Sequence, residues 1–348
     1  MLLVTGATGH VGNTLVGMLE GRGPIRVLVQ PHEDMQPLDG RQVEIVCGDI
    51  RNPKDVARAV EGCEVVYHLA GLIDISPRHP NRLMEVNVQG TGNVVDACLR
   101  QGVRKLIYCS SVHALPEPVW GETLAEGRDF PYPNLLGAYA RSKTEATAKV
   151  YAAMERGLDA TVVFPSGIIG PNDYRVSEMG KVIRALVRRR NVKRLPVFEG
   201  AYNFVDVRDV CQVLLQLPER DLGGRGFVLA GHIMTVEQLY RSVLDLVGSH
   251  PKLWKVPTPL VRAASSLVQG WSFLTRKKPF FTPYSIDVLL SNPMADSSLA
   301  ERELGFHPRP LEESMADSVH WMLEHGLLDA GKRRKQPLRL PSSAIKGT

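Results

Sequence analysis

Through the first half of the chain, short runs of β-branched and apolar residues alternate with longer stretches whose apolar positions recur every three or four residues. The short runs predict strands at Leu2–Thr5, Ile25–Val29, Val43–Val46, Val65–Leu69, Lys105–Cys109 and Ala160–Phe164. Helical periodicity lies between them, at His10–Gly21, Pro53–Val60, Pro80–Gln101 and Leu136–Arg156. Alternation with this spacing predicts βαβ units and an α/β fold, a doubly wound parallel sheet with helices on both faces. In such sheets the ligand lies outside the carboxyl ends of the strands.

The rhythm breaks after Pro165. Gly167, Gly170 and Pro171 mark irregular backbone, and Ser177–Arg190 reads as a helix. Phe204–Val207 and Phe227–Ala230 read as strands, the second returning to the sheet, and Thr235–Val247 as a helix begun by its threonine cap. Helix prevails from there to about His325. The expected organisation is a nucleotide-binding domain over residues 1–165, with 200–231 returning to its sheet. A smaller, mostly helical lobe is expected from 166–199 and 232–328, followed by a basic tail at 329–348.

Charge changes this picture little. The formal net charge is +5, but the segment Lys332–Thr348 alone holds six Lys and Arg residues and no acid. What remains is nearly neutral, so a polyanion-binding surface is not expected and nucleic acid is not a predicted partner. The five cysteines, Cys47, Cys63, Cys98, Cys109 and Cys211, are odd in number and lack a C-x-x-C pair, and they read as reduced core thiols. The apolar opening Met1–Val4 runs straight into a glycine turn with no room for a signal peptide, which predicts a cytoplasmic protein. No apolar run reaches the ~18 residues of a spanning helix. Pro257–Leu274 mixes apolar residues with Arg262 and Trp271, and Arg276 follows, so it could lie flat on a bilayer; a helix packed over a pocket is the favoured reading.

The first strand is followed by Thr5-Gly6-Ala7-Thr8-Gly9-His10-Val11-Gly12, which opens the first helix. Glycines suit this place because the chain turns sharply and a Cβ would hold the backbone away from a pyrophosphate seated on the N–H groups of the helix start. Tyr139 and Lys143 lie four apart early in a predicted helix and therefore share one face. A phenol with a pKa of about 10 is a poor proton carrier at neutral pH. A neighbouring ammonium, helped by an oxidised nicotinamide ring, is expected to draw Tyr139 toward useful values. No Cys/His spacing suggests a metal site.

In order along the chain stand the Gly-x-x-Gly-x-x-Gly turn, Gly48-Asp49-Ile50, Leu69-Ala70-Gly71, Asn87, Ser110-Ser111 and Tyr139-Ala140-Arg141-Ser142-Lys143. Together they resemble the extended short-chain dehydrogenase/reductase superfamily, with its Rossmann-type sheet and smaller substrate lobe. The resemblance spans nearly the whole chain, since Pro165-Ser166-Gly167-Ile168-Ile169-Gly170-Pro171, Phe204–Val210 and Glu303–Phe306 also match. It implies that Gly6, Thr8, Gly9, His10, Val11 and Gly12 cradle the cofactor, that Asp49 and Ile50 lie at the adenine, and that Leu69, Ala70, Gly71, Pro165, Gly167 and Ile168 line the rest. It implies catalysis by Ser111, Tyr139 and Lys143, with Asn87 holding a water or bending its helix, and a homodimer formed beside the Tyr-Lys helix.

The residue after the second strand normally selects the cofactor, and here it is Gln30. Glutamine can bond a ribose hydroxyl without repelling a phosphate, and His32 or Arg51 could add charge, so NADP and NAD both stay open. Sugar-nucleotide epimerases of the family carry Val-Tyr-Gly after the serine and an arginine before the Phe-Val-x-Val strand. This chain has His113-Ala114-Leu115 and Tyr202 instead. His113, Ser166 and Tyr202 are accordingly candidate substrate contacts, whereas His68 reads as a satisfied core histidine. The chain looks more like the dihydroflavonol reductase and 3β-hydroxysteroid dehydrogenase branch, helped by Lys278-Pro279-Phe280-Phe281-Thr282 and Pro308-Arg309-Pro310-Leu311. The implied activity is NAD(P)H-dependent hydride transfer to or from an apolar ketone, aldehyde or secondary alcohol. A sugar epimerase or dehydratase, and an NADP(H) sensor without turnover, are the rivals.

Overall fold

The computed structural model describes residues 1–74, 80–133, 135–222, 224–275 and 283–328, with 269–275 as backbone. The stretch Lys278–Thr282, Arg276, the Trp271 side chain and the tail 329–348 lie outside the described residues. The chain folds as two units, the first from Met1–Ser166, Val207–Ala230 and Met294–His307, the second from the residues between and after.

The elements run in order β1 (Leu2–Thr5), α1 (His10–Leu19), β2 (Ile25–Val29), β3 (Glu44–Cys47), α2 (Pro53–Val60), β4 (Val65–His68) and α3 (Pro80–Leu83). A π-helical turn (Met84–Gln89) follows, then α4 (Gly90–Gln101), β5 (Lys105–Cys109), α5 (Ala138–Glu155) and β6 (Ala160–Pro165). Next come β7 (Gly167–Ile169), α6 (Glu178–Arg188), β8 (Arg194–Val197), β9 (Ala201–Asp206), α7 (Val207–Gln216) and β10 (Gly226–Leu229). The last are β11 (His232–Thr235), α8 (Val236–Leu246), β12 (Lys252–Lys255), α9 (Thr258–Thr275), α10 (Pro283–Leu290), α11 (Ser298–Leu304) and α12 (Leu311–Glu324).

The first unit is a seven-stranded parallel sheet in the order β10-β6-β5-β4-β1-β2-β3, a Rossmann-type doubly wound fold. Strand order reverses between β1 and β4, where Val4 stands between Val27 and Tyr67, and a doubly wound sheet opens its ligand crevice at that reversal. Alternate residues of the strands, among them Leu3, Val66, Leu106, Val162 and Val228, point to one face and bury against Val56, Ala59, Val94, Cys98, Ala146 and Val150 of α2, α4 and α5. Local chemistry fixes the element ends. Asn52 accepts the Lys54 N–H and Pro53 starts α2, while Gly102 ends α4 in the left-handed conformation at φ 66°.

The second unit has its own core, built on Ile169, Ile183, Leu195, Phe204, Met234, Leu239, Val243, Met315 and Val319. Two sequence expectations are corrected here. Ala201–Asp206 does not return to the main sheet: β9 pairs antiparallel with β11 and parallel with β7 in a three-stranded sheet, so within 200–231 it is β10 that returns. Residues 294–307 belong to the first unit, because Ser297 bonds both the N–H and the carbonyl of Ala230 and Asp296 bonds Leu124. The second unit also carries a β8–β12 pair that the sequence pattern did not suggest.

Two smaller readings change as well. Cys47, at the end of β3, is exposed rather than a core thiol. Helix α9 forms over the amphipathic stretch, but Leu260, Leu267 and Val268 face solvent instead of packing inward. Among the described residues no helix is long and apolar enough to cross a membrane.

Candidate active site

The glycine turn is tight enough to forbid side chains. Gly6 sits at φ +72°, and a Cβ there would lie 2.7 Å from the Ala70 nitrogen at the end of β4. A Cβ at Gly12 would lie 2.1 Å from the Gly6 carbonyl oxygen, far inside van der Waals contact, so the turn and the first turn of α1 close on each other through glycine alone. The Gly9 cap carries no side-chain hydrogen bond to α1, which leaves the helix start to present its N–H groups as helix starts do.

Beneath this turn, Thr5 Oγ1 accepts the Ala70 N–H at 3.2 Å and meets His68 Nδ1 at 2.8 Å, while His68 Nε2 meets Thr91 Oγ1 at 2.9 Å. His68 is fully buried and stacked on Tyr108, and burial, with the Lys143 charge, pushes its pKa down to about 3. It is a neutral ring spanning two hydroxyls.

Helix α5 brings Tyr139 and Lys143 to the end of β5. Both side chains are buried, and Lys143 Nζ donates to the Cys109 carbonyl at 3.0 Å. Burial would lower the Lys143 pKa, but the Tyr108, Tyr139 and Cys109 side chains beside it outweigh that and hold it above the ordinary lysine value. Burial acts to raise the Tyr139 pKa, and Lys143 and Ser111 both act to lower it. In the protein alone, loss of solvation outweighs the pull of Lys143 and Ser111, and the Tyr139 pKa is raised. Ser111 also accepts the His113 N–H at 3.3 Å, the start of a short 3₁₀ turn, Val112–Ala114. The half-buried His113 ring stands edge-on to Tyr139 at 5.8 Å, and burial lowers its pKa to about 4.

Asn87 lies on the π-helical turn. Its Oδ1 accepts the Leu72 N–H at 2.7 Å, and its Nδ2 donates to the Leu72 carbonyl at 3.0 Å and to Ser142 Oγ at 2.9 Å. Ser142 in turn donates to the Tyr139 carbonyl. The Leu69-Ala70-Gly71 segment runs over this clamp, since a Cβ on Gly71 would stand 3.4 Å from Asn87 Oδ1 and 3.7 Å from Lys143 Nζ.

The first unit thus gathers the glycine turn, Leu69–Gly71, Asn87, Ser111, His113, Tyr139 and Lys143. Ile50 is buried against Gly90, and its carbonyl accepts from Asn93. Asp49 is ion-paired with Arg51, whose hydrogen bonds hold its carboxyl below the usual range. Pro165 and Ser166 close β6, and the buried Ser166 hydroxyl has no partner among the described residues. Gly167, Ile168 and Tyr202 belong to the second unit, where the Tyr202 ring covers Gly167. Two participants were not singled out from the sequence, Ser142 and Tyr108, although each stands next to a residue that was, Lys143 and Cys109.

A dinucleotide fits these residues: the cradle excludes a Cβ, the helix start offers N–H donors, and a fixed ammonium and an unpartnered hydroxyl stand at strand ends. No group of three or more His, Cys, Asp or Glu able to hold a metal occurs among the described residues.

Such a fold and site define a nucleotide-binding α/β enzyme class, and sequence comparison narrows it. Residues 2–230 match the NAD dependent epimerase/dehydratase family, and the chain belongs to that family. It is 33% identical to "Sterol demethylase protein B" of Methylococcus capsulatus over 329 residues, 94% of this chain and 99% of the relative. It is 28% identical to "Putative dihydroflavonol 4-reductase" of Synechocystis, over 93% of this chain and 94% of that one. It is 30% identical to "3beta-hydroxysteroid-dehydrogenase/decarboxylase isoform 1" of Arabidopsis thaliana, over 91% and 78%. The crystal structure of gox2253 superposes with a TM-score of 0.80 at 29% identity, covering 94% of this chain and 99% of that one.

Proposed function

We propose that the protein is a reductase or dehydrogenase that transfers hydride between a nicotinamide cofactor and an apolar ketone, aldehyde or secondary alcohol. The observation that carries this reading is the buried Ser111-Tyr139-Lys143 set, with Lys143 anchored on the Cys109 carbonyl beside Tyr139. The cofactor, when bound, supplies or takes the hydride. In the reductive direction the Tyr139 hydroxyl gives its proton to the substrate oxygen, while the Ser111 hydroxyl donates to that same oxygen as charge develops on it. The Lys143 ammonium stabilises the phenolate left behind. An ammonium has three N–H donors, of which the Cys109 carbonyl takes one, so others can hold the nicotinamide ribose. Asn87 acts through Ser142 as a positioning residue.

His113 is neutral and against Tyr139, which suits an apolar substrate better than an anionic one. Sterols and hydroxysteroids come first among candidates because two relatives carry those words in their names. The test is loss of reduced-nicotinamide absorbance on mixing enzyme, cofactor and a panel of apolar ketones, with the alcohols run in reverse. Net consumption is expected, and Tyr139→Phe should lower kcat by about 10² or more while leaving cofactor affinity unchanged. Full turnover in Tyr139→Phe would refute the mechanism. Conversion without net consumption would make the protein an epimerase or dehydratase.

A further inference from the structure

Sequence position alone makes Gln30 the arbiter between NAD and NADP, but the structure brings a different side chain to that place. Strand β2 ends at Val29, and Gln30–Glu33 forms a tight turn in which the Glu33 N–H bonds the Gln30 carbonyl at 3.2 Å. Pro31 occupies the second place of the turn, and His32, at φ 63°, occupies the third in the left-handed region usually left to glycine or asparagine. The turn folds the Glu33 carboxylate back over the strand end. Its Oε2 accepts the Gln30 N–H at 2.7 Å and its Oε1 accepts the Thr8 hydroxyl at 2.7 Å.

Thr8 lies in the glycine turn, so this one carboxylate ties the pyrophosphate cradle to the carboxyl end of the second strand. Those are the two segments between which an adenosine ribose sits in a doubly wound sheet. Glu33 is half-buried and Gln30 exposed, so the charge stands in a partly desolvated place while the glutamine contributes its backbone.

We propose that Glu33, rather than Gln30, sets cofactor choice, and that the protein selects NAD(H) over NADP(H). The proposal rests on the reading of the glycine turn as a cofactor cradle. A carboxylate oxygen accepts more than one hydrogen bond and can take a ribose hydroxyl in addition to its present partners. A 2′-phosphate at the same position brings like charge against it at close range. Arg51, one of the two residues that could add positive charge, is already committed: it lies with Nε 3.1 Å from both Asp49 oxygens, Nη2 2.7 Å from Asp49 Oδ2 and Nη1 3.4 Å from Glu85. Two carboxylates neutralise that guanidinium, leaving it a poor phosphate receptor.

Equilibrium titration of the purified full chain with NADH and with NADPH, followed by reduced-cofactor fluorescence, tests this without any substrate. Wild type should bind NADH at least about tenfold more tightly, and Glu33→Gln should close most of that gap by weakening NADH and strengthening NADPH. Thermal unfolding confirms that the variant is folded, and Glu33→Ala provides a second variant should Gln retain the Thr8 bond. Arg51→Gln should leave the ratio of the two affinities unchanged. Wild type that binds NADPH as tightly as NADH, or a Glu33→Gln variant that moves both affinities equally, overturns the proposal while the cradle stands. Selective loss of NADPH binding in Arg51→Gln overturns it by moving phosphate recognition to Arg51. Failure to bind either cofactor removes the cradle reading and the proposal together.

Discussion

Removal of the Asn87 side chain should loosen helix α5 by an amount the structure sets. Asn87 and Ser142 are both buried, and Asn87 makes three hydrogen bonds, two to the half-buried backbone of Leu72 and one to Ser142 Oγ. A buried neutral hydrogen bond contributes about 1 kcal/mol net, and bonds that water can replace contribute about half that. Asn87→Ala should therefore cost about 2–3 kcal/mol, which for a body of this size lowers Tm by roughly 4–12 °C. The decisive measurement is a double-mutant cycle with Ser142→Ala, read by thermal or urea unfolding. Ser142→Ala leaves both Leu72 bonds intact, so the non-additive part isolates the Asn87–Ser142 bond, expected at about 0.5–1.5 kcal/mol. Additivity to within about 0.3 kcal/mol would refute the clamp and restore Asn87 to a role limited to its own loop.

Acid should weaken the fold through its histidines. His68 and His113 titrate near 3 and near 4 when folded but near 6.5 when unfolded, so below about pH 6.5 the unfolded chain binds more protons. Stability is then lost as pH falls from about 6.5 toward 4, and His113→Gln should shrink the drop in Tm between pH 7.5 and 5; an unchanged drop would count against a buried neutral His113. Gly12→Ala should destabilise the fold more than Gly9→Ala, because the added Cβ lies 2.1 Å from the Gly6 carbonyl in the first case and 3.2 Å in the second. The reverse order of Tm values would show that the turn is not closed as described. If the helices beside Tyr139 pair two copies, light scattering of the 38.4 kDa chain should give twice that mass; a monomer at micromolar concentration would exclude the dimer.

The elements of the main sheet were legible because each strand is a short, mainly apolar run close to turn residues, as Leu2–Thr5 is before Gly6 and Lys105–Cys109 after Gly102. The second unit was harder to read for a physical reason. Strand β11, His232–Thr235, exposes His232, Ile233 and Thr235 and lacks a strand's alternation, while β8 alternates exposed and buried but contains Pro196, which argues against a strand. With β11 invisible, β9 had no partner but the main sheet. Glu33 was illegible because its position depends on the backbone at His32 adopting positive φ, which no side-chain pattern announces. The direction of the Tyr139 shift was also beyond the sequence, since spacing shows that Lys143 is near but not how completely both are withdrawn from water.

What the sequence could least reveal is how firmly the chemistry is held, and that follows from buried hydroxyls. The single proton of Thr147 goes to the Lys143 carbonyl, so Ser110, 2.7 Å away, must donate to Thr147. The single proton of Ser142 goes to the Tyr139 carbonyl, so its partner Asn87 must donate to it. Lys143 therefore lies between two pins on α5, one to the end of β5 behind it and one to the π-helical turn beside it. Apolar residues at Ser110, Ser142 and Thr147 would pack the same core without the cost of burying polar groups, but would leave the helix free to slide along the sheet. Satisfied in this way, the hydroxyls fix the register of Tyr139 and Lys143 against Ser111, so substitutions at Ser110 or Thr147 should lower kcat through geometry by much more than they weaken cofactor binding, most of which the glycine turn would supply.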